Sequence, residues 1–279
     1  MPKCVFDSFS EPLPVIKQLG EQTTRAHVSG STTDRSTAPL CGLRTPLEVW
    51  TSKADVLCLQ RFKETLRRVY LPEVETSLRF KSEADIVNSS AVYLLNPVHF
   101  ALQLARPDFI YLSEVTKSRD EISSTSSRAD RVYFTEDPDP AHMAKPGNSP
   151  KCFAVLEFKK YGGLPVDAFE KGIVTNNGAY QKAISDQTSK FRDDAETLFK
   201  QVTQYAARYN TPFVALCDYK TLVLLVMVNG EDLHGGDYTH ITIVKNPSDM
   251  RKAFLGFLLR ASLYNAGDKN WDKDEKNTA

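Results

Sequence analysis

Glu157 and Lys159 stand two apart in the run Val155-Leu156-Glu157-Phe158-Lys159. On a strand, those two side chains leave one face together, while Phe158 points the other way, into core. A carboxylate and an ammonium side by side at the end of an apolar strand can do hydrolytic chemistry at phosphorus. Asp130, at the start of Arg131-Val132-Tyr133-Phe134, can bring a second carboxylate alongside from a neighbouring strand. Two carboxylates and a backbone carbonyl suit a hard, oxygen-liganded ion such as Mg²⁺. Such an ion holds a phosphate oxygen and a water together and lowers the pKa of that water. Lys159 can orient or deprotonate the water, or neutralise the developing charge. Taken alone, Glu-x-Lys is also what a solvent-exposed strand end carries.

Two further features belong to helices. Gln201 and Tyr205 are spaced i, i+4 and share a face beside an apolar stripe. Gln201 there can hydrogen-bond a metal-bound water or a phosphate, with Tyr205 fixing it, or it can simply edge the stripe. Glu83 follows Ser82 at the start of a helical stretch. It can complete the shell around the ion near Asp130, or serve only capping and dipole chemistry.

The elements that must position these groups follow from punctuation and periodicity. Residues 1–44 are proline-containing, then Ser/Thr-rich, and read as a flexible arm that packs an edge through Val15, Ile16 and Leu19 at most. A helix is expected from Pro46, capped by Thr45 and stopped by Pro72. A second, capped by Ser82, is kinked or split at Pro97. Strands are expected over 109–115, 131–135 and 152–160, joined by a Ser-rich loop (118–129) and a Pro-rich connection. Gly162 and Gly163 break the third strand, and a loop with weak helical character runs to about residue 190. The stretch 193–209 is a clear amphipathic helix with Asp193 and Asp194 at its positive end. Two apolar strands (212–217 and 221–228), another near 240–246, a last helix over 247–264 and a polar tail (267–279) complete the chain. The expected fold is mixed α/β, one domain over 45–266 with a central sheet and helices on its faces.

The order Glu83, Asp130, Glu157-Phe158-Lys159, then Gln201-Val202-Thr203-Gln204-Tyr205 resembles the PD-(D/E)xK nuclease superfamily. The Gln-x-x-x-Tyr helix is similar to that of RecB-type exonucleases and of the nuclease domain of type I restriction motor subunits. The resemblance covers about residues 80–228. It implies a restriction-endonuclease-like αβββαβ core with a central mixed sheet, plus N- and C-terminal helical additions. Asp130, Glu157 and Glu83 would then serve Mg²⁺ or Mn²⁺, Lys159 would be the catalytic lysine, and Gln201 and Tyr205 the accessory motif. The implied activity is hydrolysis of DNA by a metal-activated water. The implied alternative is a nuclease-fold module that no longer cuts and binds nucleic acid or protein. Ala129 stands where the family has proline, and the segment between Asp130 and Glu157 holds a Pro-rich insertion. The layout is similar to stand-alone fungal or mobile-element members, and dimers common in the superfamily make a homodimer through the last helix an expectation.

Composition bounds the rest. Lys+Arg and Asp+Glu are both 35, which excludes a generally basic nucleic-acid coat but not a local basic groove. Lys171, Lys182, Lys190 and Arg192 are placed to line such a groove, whereas Arg61–Arg68 reads as a basic, solvated helical face. The five cysteines, Cys4, Cys41, Cys58, Cys152 and Cys217, form no close ligand pair, so free thiols and no iron–sulfur cluster are expected. Neither a phosphate-cradling Gly-rich loop with lysine nor a nucleotide cofactor is expected. With no apolar span and no leader pattern, an intracellular location, cytoplasmic or nuclear, is expected without membrane contact. His27, His99, His142, His234 and His240 show no metal-ligand spacing, and His99 reads as a core or boundary histidine.

Overall fold

A computed structural model of the chain describes residues 3–19, 36–118, 126–135, 151–227 and 236–268. The elements in chain order are α1 (Val5–Ser8), β1 (Lys17–Gln18), β2 (Cys41–Arg44), α2 (Glu48–Ala54), α3 (Lys63–Arg67), β3 (Arg79–Phe80), α4 (Glu83–Ser90), α5 (Asn96–Ala105), β4 (Phe109–Ser118), β5 (Ser126–Thr135) and β6 (Lys151–Phe158). They continue with α6 (Val166–Gly172), β7 (Ile173–Val174), α7 (Asn177–Asp186), α8 (Asp193–Tyr209), β8 (Phe213–Cys217), β9 (Leu222–Met227), β10 (Tyr238–Val244) and α9 (Met250–Asn265). π-helical turns over Asp55–Leu59 and Ala91–Leu95 extend α2 and link α4 to α5.

Eight strands form one mixed sheet in the order β4-β5-β6-β8-β9-β10-β2-β7. The β4, β5 and β6 strands are antiparallel to one another, β6 and β8 are parallel, and β8, β9 and β10 alternate again. Both faces are covered, which is why β6, β8 and β9 are near-continuous apolar runs instead of alternating ones. One face carries Leu156, Phe158, Phe213 and Leu224 against α9, α5 and α2. The other carries Val132, Val155, Val214 and Leu225 against Leu198, Val202 and Ala206 of α8. The mixed α/β architecture with flanking helices is therefore present as expected.

Several boundaries differ, each for a physical reason. The expected arm over 1–44 contains packed structure. Val5, Phe9, Leu13 and Ile16 are buried, and Cys41–Arg44 is an inner strand between β10 and β7. Val15 and Leu19 instead face solvent. Local composition hid these pieces because each is short and is held by partners far along the chain. Thr45 is not the cap of α2. Its N–H is still in the sheet, donating to the Ile241 carbonyl, and the N-cap is Leu47 without a side-chain bond. Ser82 does cap α4, and the split ahead of Pro97 is the π-turn at 91–95. The expected loop to residue 190 holds α6, β7 and α7. Of the expected Ser-rich loop, residue 118 belongs to β4 and residues 126–129 to β5, and 119–125 lie outside the described residues. The Pro-rich connection at 136–150 lies outside the described residues, as do His27, His142 and His234.

The last helix is not a surface addition. Residues on every side of α9, from Met250 to Ser262, are buried, and a Cβ on Gly256 would lie 1.8 Å from the Trp50 carbonyl oxygen. That close crossing with α2 leaves α9 without a face for the dimer contact expected of it. No helix among the described residues is long and apolar enough to cross a membrane.

Candidate functional site

The β6 strand ends at Phe158, but the Lys159 N–H still donates to the Cys217 carbonyl at 2.9 Å. Strand alternation therefore carries past the end of β6, and Glu157 and Lys159 leave the same face. Lys159 Nζ donates to Glu157 Oε1 at 2.8 Å, with only 5% and 9% of the two side chains exposed. Two ionisable groups have been taken out of water together at the rim of an apolar strand.

The α8 helix closes over this pair. Its apolar stripe packs Leu198, Val202 and Ala206 onto the sheet. That stripe fixes the rotation of the helix and aims Gln201 and Tyr205 at Glu157. Gln201 Nε2 lies 3.1 Å from Glu157 Oε1 and donates to the Tyr205 hydroxyl at 2.6 Å. The Tyr205 hydroxyl also hydrogen-bonds the Glu157 carboxylate. Asn210, in the left-handed region at φ 52°, terminates the helix.

Asp130 arrives through the register of β5 on β6, in which Arg131 faces Leu156. It lies within the longer β5 rather than at the start of a strand, and its Oδ2 accepts the Phe158 N–H at 2.7 Å. Glu83 arrives from the N-terminus of α4. The capping duty there belongs to Asp85, whose Oδ2 accepts the Ser82 N–H at 2.7 Å while Ser82 Oγ accepts the Asp85 N–H. Glu83 is half-buried, and burial raises its pKa. The Lys159 ammonium pulls that pKa down, and the Asp130 carboxylate pushes it up.

Burial likewise pushes Glu157 up to about 7, with Lys159 opposing and Asp130 reinforcing the shift. Tyr205 is raised well above the usual phenol value by burial and then by the Glu157 charge beside it. Asp130, Glu157, Lys159 and Tyr205, with Glu83 at the rim, thus form one electrostatically linked set.

Two buried acceptor atoms at the site have no hydrogen-bond partner, Glu157 Oε2 and Gln201 Oε1. Unsatisfied buried acceptors are costly. A hard cation, or water bound to one, is a partner both oxygens fit. Asp130 is the carboxylate that acts electrostatically on both Glu157 and Glu83. Among the described residues, no group of three or more His, Cys, Asp and Glu side chains is drawn together as a ready-made cage. The carboxylates are instead turned to donors, Asp130 to a backbone N–H and Glu157 to Lys159 and Gln201.

The basic groove expected from Lys171, Lys182, Lys190 and Arg192 is spread over separate elements, with Lys171 on α6 and Lys182 on α7. Lys190 bonds the Leu40 carbonyl through its backbone and acts electrostatically on Cys41. Strand β2 is four places from β6 in the sheet, roughly 19 Å at the usual strand spacing. Lys190 therefore does not join Glu157. Gly162, at φ 65°, makes the turn after β6 as expected of a strand break. His99 is a boundary histidine bonded to the Tyr133 hydroxyl at 3.0 Å. All five cysteines are buried free thiols.

Two residues were missed. Asp218 accepts the N–H groups of Leu164, Lys220 and Thr221 and so ties the loop after Lys159 to the β8–β9 turn. Its spacing to Thr221 is a turn signal that sequence reading can use. Glu114 sits opposite Asp130, between the pairs Ser113–Arg131 and Val115–Ala129, at φ 52°. A left-handed glutamate inside a strand is strained, and no local sequence signal announces it. Comparisons with protein-family models, with curated proteins and with solved structures give no match.

Proposed function

We propose that this chain is a metal-dependent phosphodiesterase acting on DNA, built on a restriction-endonuclease-like core that runs from α4 through β9. The observation that carries this reading is the buried Glu157–Lys159 pair, with Gln201 donating to Glu157 and an unsatisfied acceptor oxygen on each of Glu157 and Gln201. A structural ion pair has no need of orphaned acceptors beside it, whereas a site that receives a hydrated cation does.

Asp130, Glu157 and Glu83 would hold Mg²⁺ or Mn²⁺. The ion, when bound, supplies charge neutralisation at a phosphate oxygen and a water of lowered pKa. Lys159 keeps a cation in a site of low dielectric, where it orients the attacking water and offsets charge that develops on phosphorus. Gln201 holds the Glu157 carboxylate in one rotamer and presents Oε1 to a bound water. Tyr205, braced by its bond to Gln201, keeps that amide from turning away. Burial of Glu157, Lys159 and Tyr205 excludes bulk water from them and strengthens the interactions they make.

The test is cleavage of plasmid and linear DNA with Mg²⁺ or Mn²⁺ by the intact chain, beside Glu157→Ala and Lys159→Ala. Loss of cleavage in both variants, with circular dichroism unchanged, supports the reading. Equal cleavage by the variants overturns the assignment of the chemistry to this pair, and no cleavage by the intact chain with either metal overturns the reading in favour of a binding module that does not cut.

A further inference from the structure

On the sheet face opposite Glu157, a cleft of about 460 Å³ opens between α5 with its preceding π-turn and strands β4 and β5. Its walls combine three chemistries. The rings of His99, Phe109 and Tyr111 form a continuous aromatic surface, with His99 4.3 Å from Tyr111 and Phe109 stacked on Tyr111 at 6.4 Å between centroids. The amides of Asn96 and Gln103 sit along the helical side, both exposed. Arg131 is the only charged side chain among the described residues lining the cleft.

Each wall is held in place. His99 is fixed through its bond to Tyr133, and burial drives its pKa down to about 3, so it presents a neutral ring. Arg131 is anchored by Nη1 on the Asp130 carbonyl at 2.8 Å, and its Nε is buried without a hydrogen-bond partner. Tyr111 is 44% exposed, which leaves ring surface open to a visitor. The volume is in the range of small-molecule sites.

We propose that this cleft binds one nucleotide unit, its base stacked on Tyr111 and its phosphate on Arg131. A planar ligand with hydrogen-bonding edges and an anionic group matches an aromatic wall, two amides and one guanidinium. A purely apolar ligand would leave the buried Arg131 Nε without a partner and make no use of the amides, and a simple anion would make no use of the rings. Arg131 and Asp130 are adjacent in β5 and leave opposite faces. Nucleotide capture and the proposed cleavage chemistry therefore share a strand without sharing side chains.

The test is calorimetric titration of the intact chain, with chelator present, using AMP, ribose 5-phosphate and a 5′-phosphorylated tetrathymidylate. AMP is expected to bind, and ribose 5-phosphate to bind about tenfold or more weakly, because base stacking on an aromatic ring is worth that much. Tyr111→Ala and Arg131→Gln are each expected to weaken AMP roughly tenfold with circular dichroism unchanged. Tetrathymidylate binding more tightly than AMP, through the same two residues, would identify a strand terminus as the source. Equal affinity would identify the free nucleotide, and both support the cleft. No AMP binding up to about 10 mM, equal affinity for AMP and ribose 5-phosphate, or insensitivity to Tyr111→Ala overturns it. Lys159→Ala should leave AMP binding intact, so failure of the cleft and failure of the phosphodiesterase reading are separable.

Discussion

The Glu157–Lys159 pair makes a joint prediction for stability and cleavage, and its cleavage half is one that a purely structural ion pair does not share. At 2.8 Å and an effective dielectric of about 20, the attraction is about 6 kcal/mol. Taking both ions out of water costs on the order of several kcal/mol each. The two contributions nearly cancel, so the intact pair adds little net stability. Removing one partner leaves the desolvation cost without the attraction. Lys159→Met and Glu157→Gln should therefore each destabilise the fold by about 3 kcal/mol. The double variant, with neutral side chains of similar length, should return to within about 1 kcal/mol of the parent. A coupling of about 5 kcal/mol is expected from the cycle. Urea denaturation at neutral pH reads the stabilities, and DNA cleavage with Mn²⁺ is measured on the same three proteins. Stability should recover in the double variant while cleavage stays lost, because the chemistry needs both charges. Additivity within about 0.5 kcal/mol would show that the two side chains do not depend on each other. Cleavage by the double variant would show that the site lies elsewhere.

Further outcomes follow from other contacts. Tyr205→Phe removes a hydroxyl that accepts from Gln201 and bonds Glu157, and should cost about 1–2 kcal/mol of stability and lower kcat more than it raises KM. Gly256→Ala puts a Cβ 1.8 Å from the Trp50 carbonyl, with backbone on both sides, and should cost at least about 3 kcal/mol in a thermal or urea melt. His99 is held at about 3, against 6.5 for the free side chain, by burial and then by Arg131. A depressed folded value means that its stabilising contribution is complete above pH 6.5 and is lost as pH falls. Between pH 6.5 and 4.5 the loss should approach 2–3 kcal/mol, roughly 1.4 per pH unit, and His99→Phe should flatten that part of the profile.

Much of the site was legible because its information is local. Alternation along β6 puts Glu157 and Lys159 on one face whatever surrounds them, and a spacing of four puts Gln201 and Tyr205 together on any helix. The apolar run of β8 and the stripe on α8 announce elements covered on one or both sides. The roles of Asp85 and Glu83 at the start of α4 were not separable in this way. Both acids fall in the first turn, and only the direction of each side chain shows that Asp85 caps while Glu83 reaches toward Lys159 and Asp130. Lys190 was misplaced for a related reason, since nearness in sequence does not survive the sheet order that sets β2 four strands from β6.

The chain's own chemistry thus determines which residues share a face, that Ser82 starts α4 and Asn210 ends α8, and that the interior is an apolar sheet between helices. Periodicity, punctuation and side-chain type act over a few residues, and they are written in the sequence. Tertiary structure alone decides that β2, at residues 41–44, is an inner strand, that α9 is enclosed, and that Glu114 is forced into the left-handed region opposite Asp130. It alone decides that Glu157 loses enough solvent to titrate near 7. Those outcomes depend on register, crossing distance and desolvation. Each is set by partners tens to hundreds of residues away, and no local pattern encodes them.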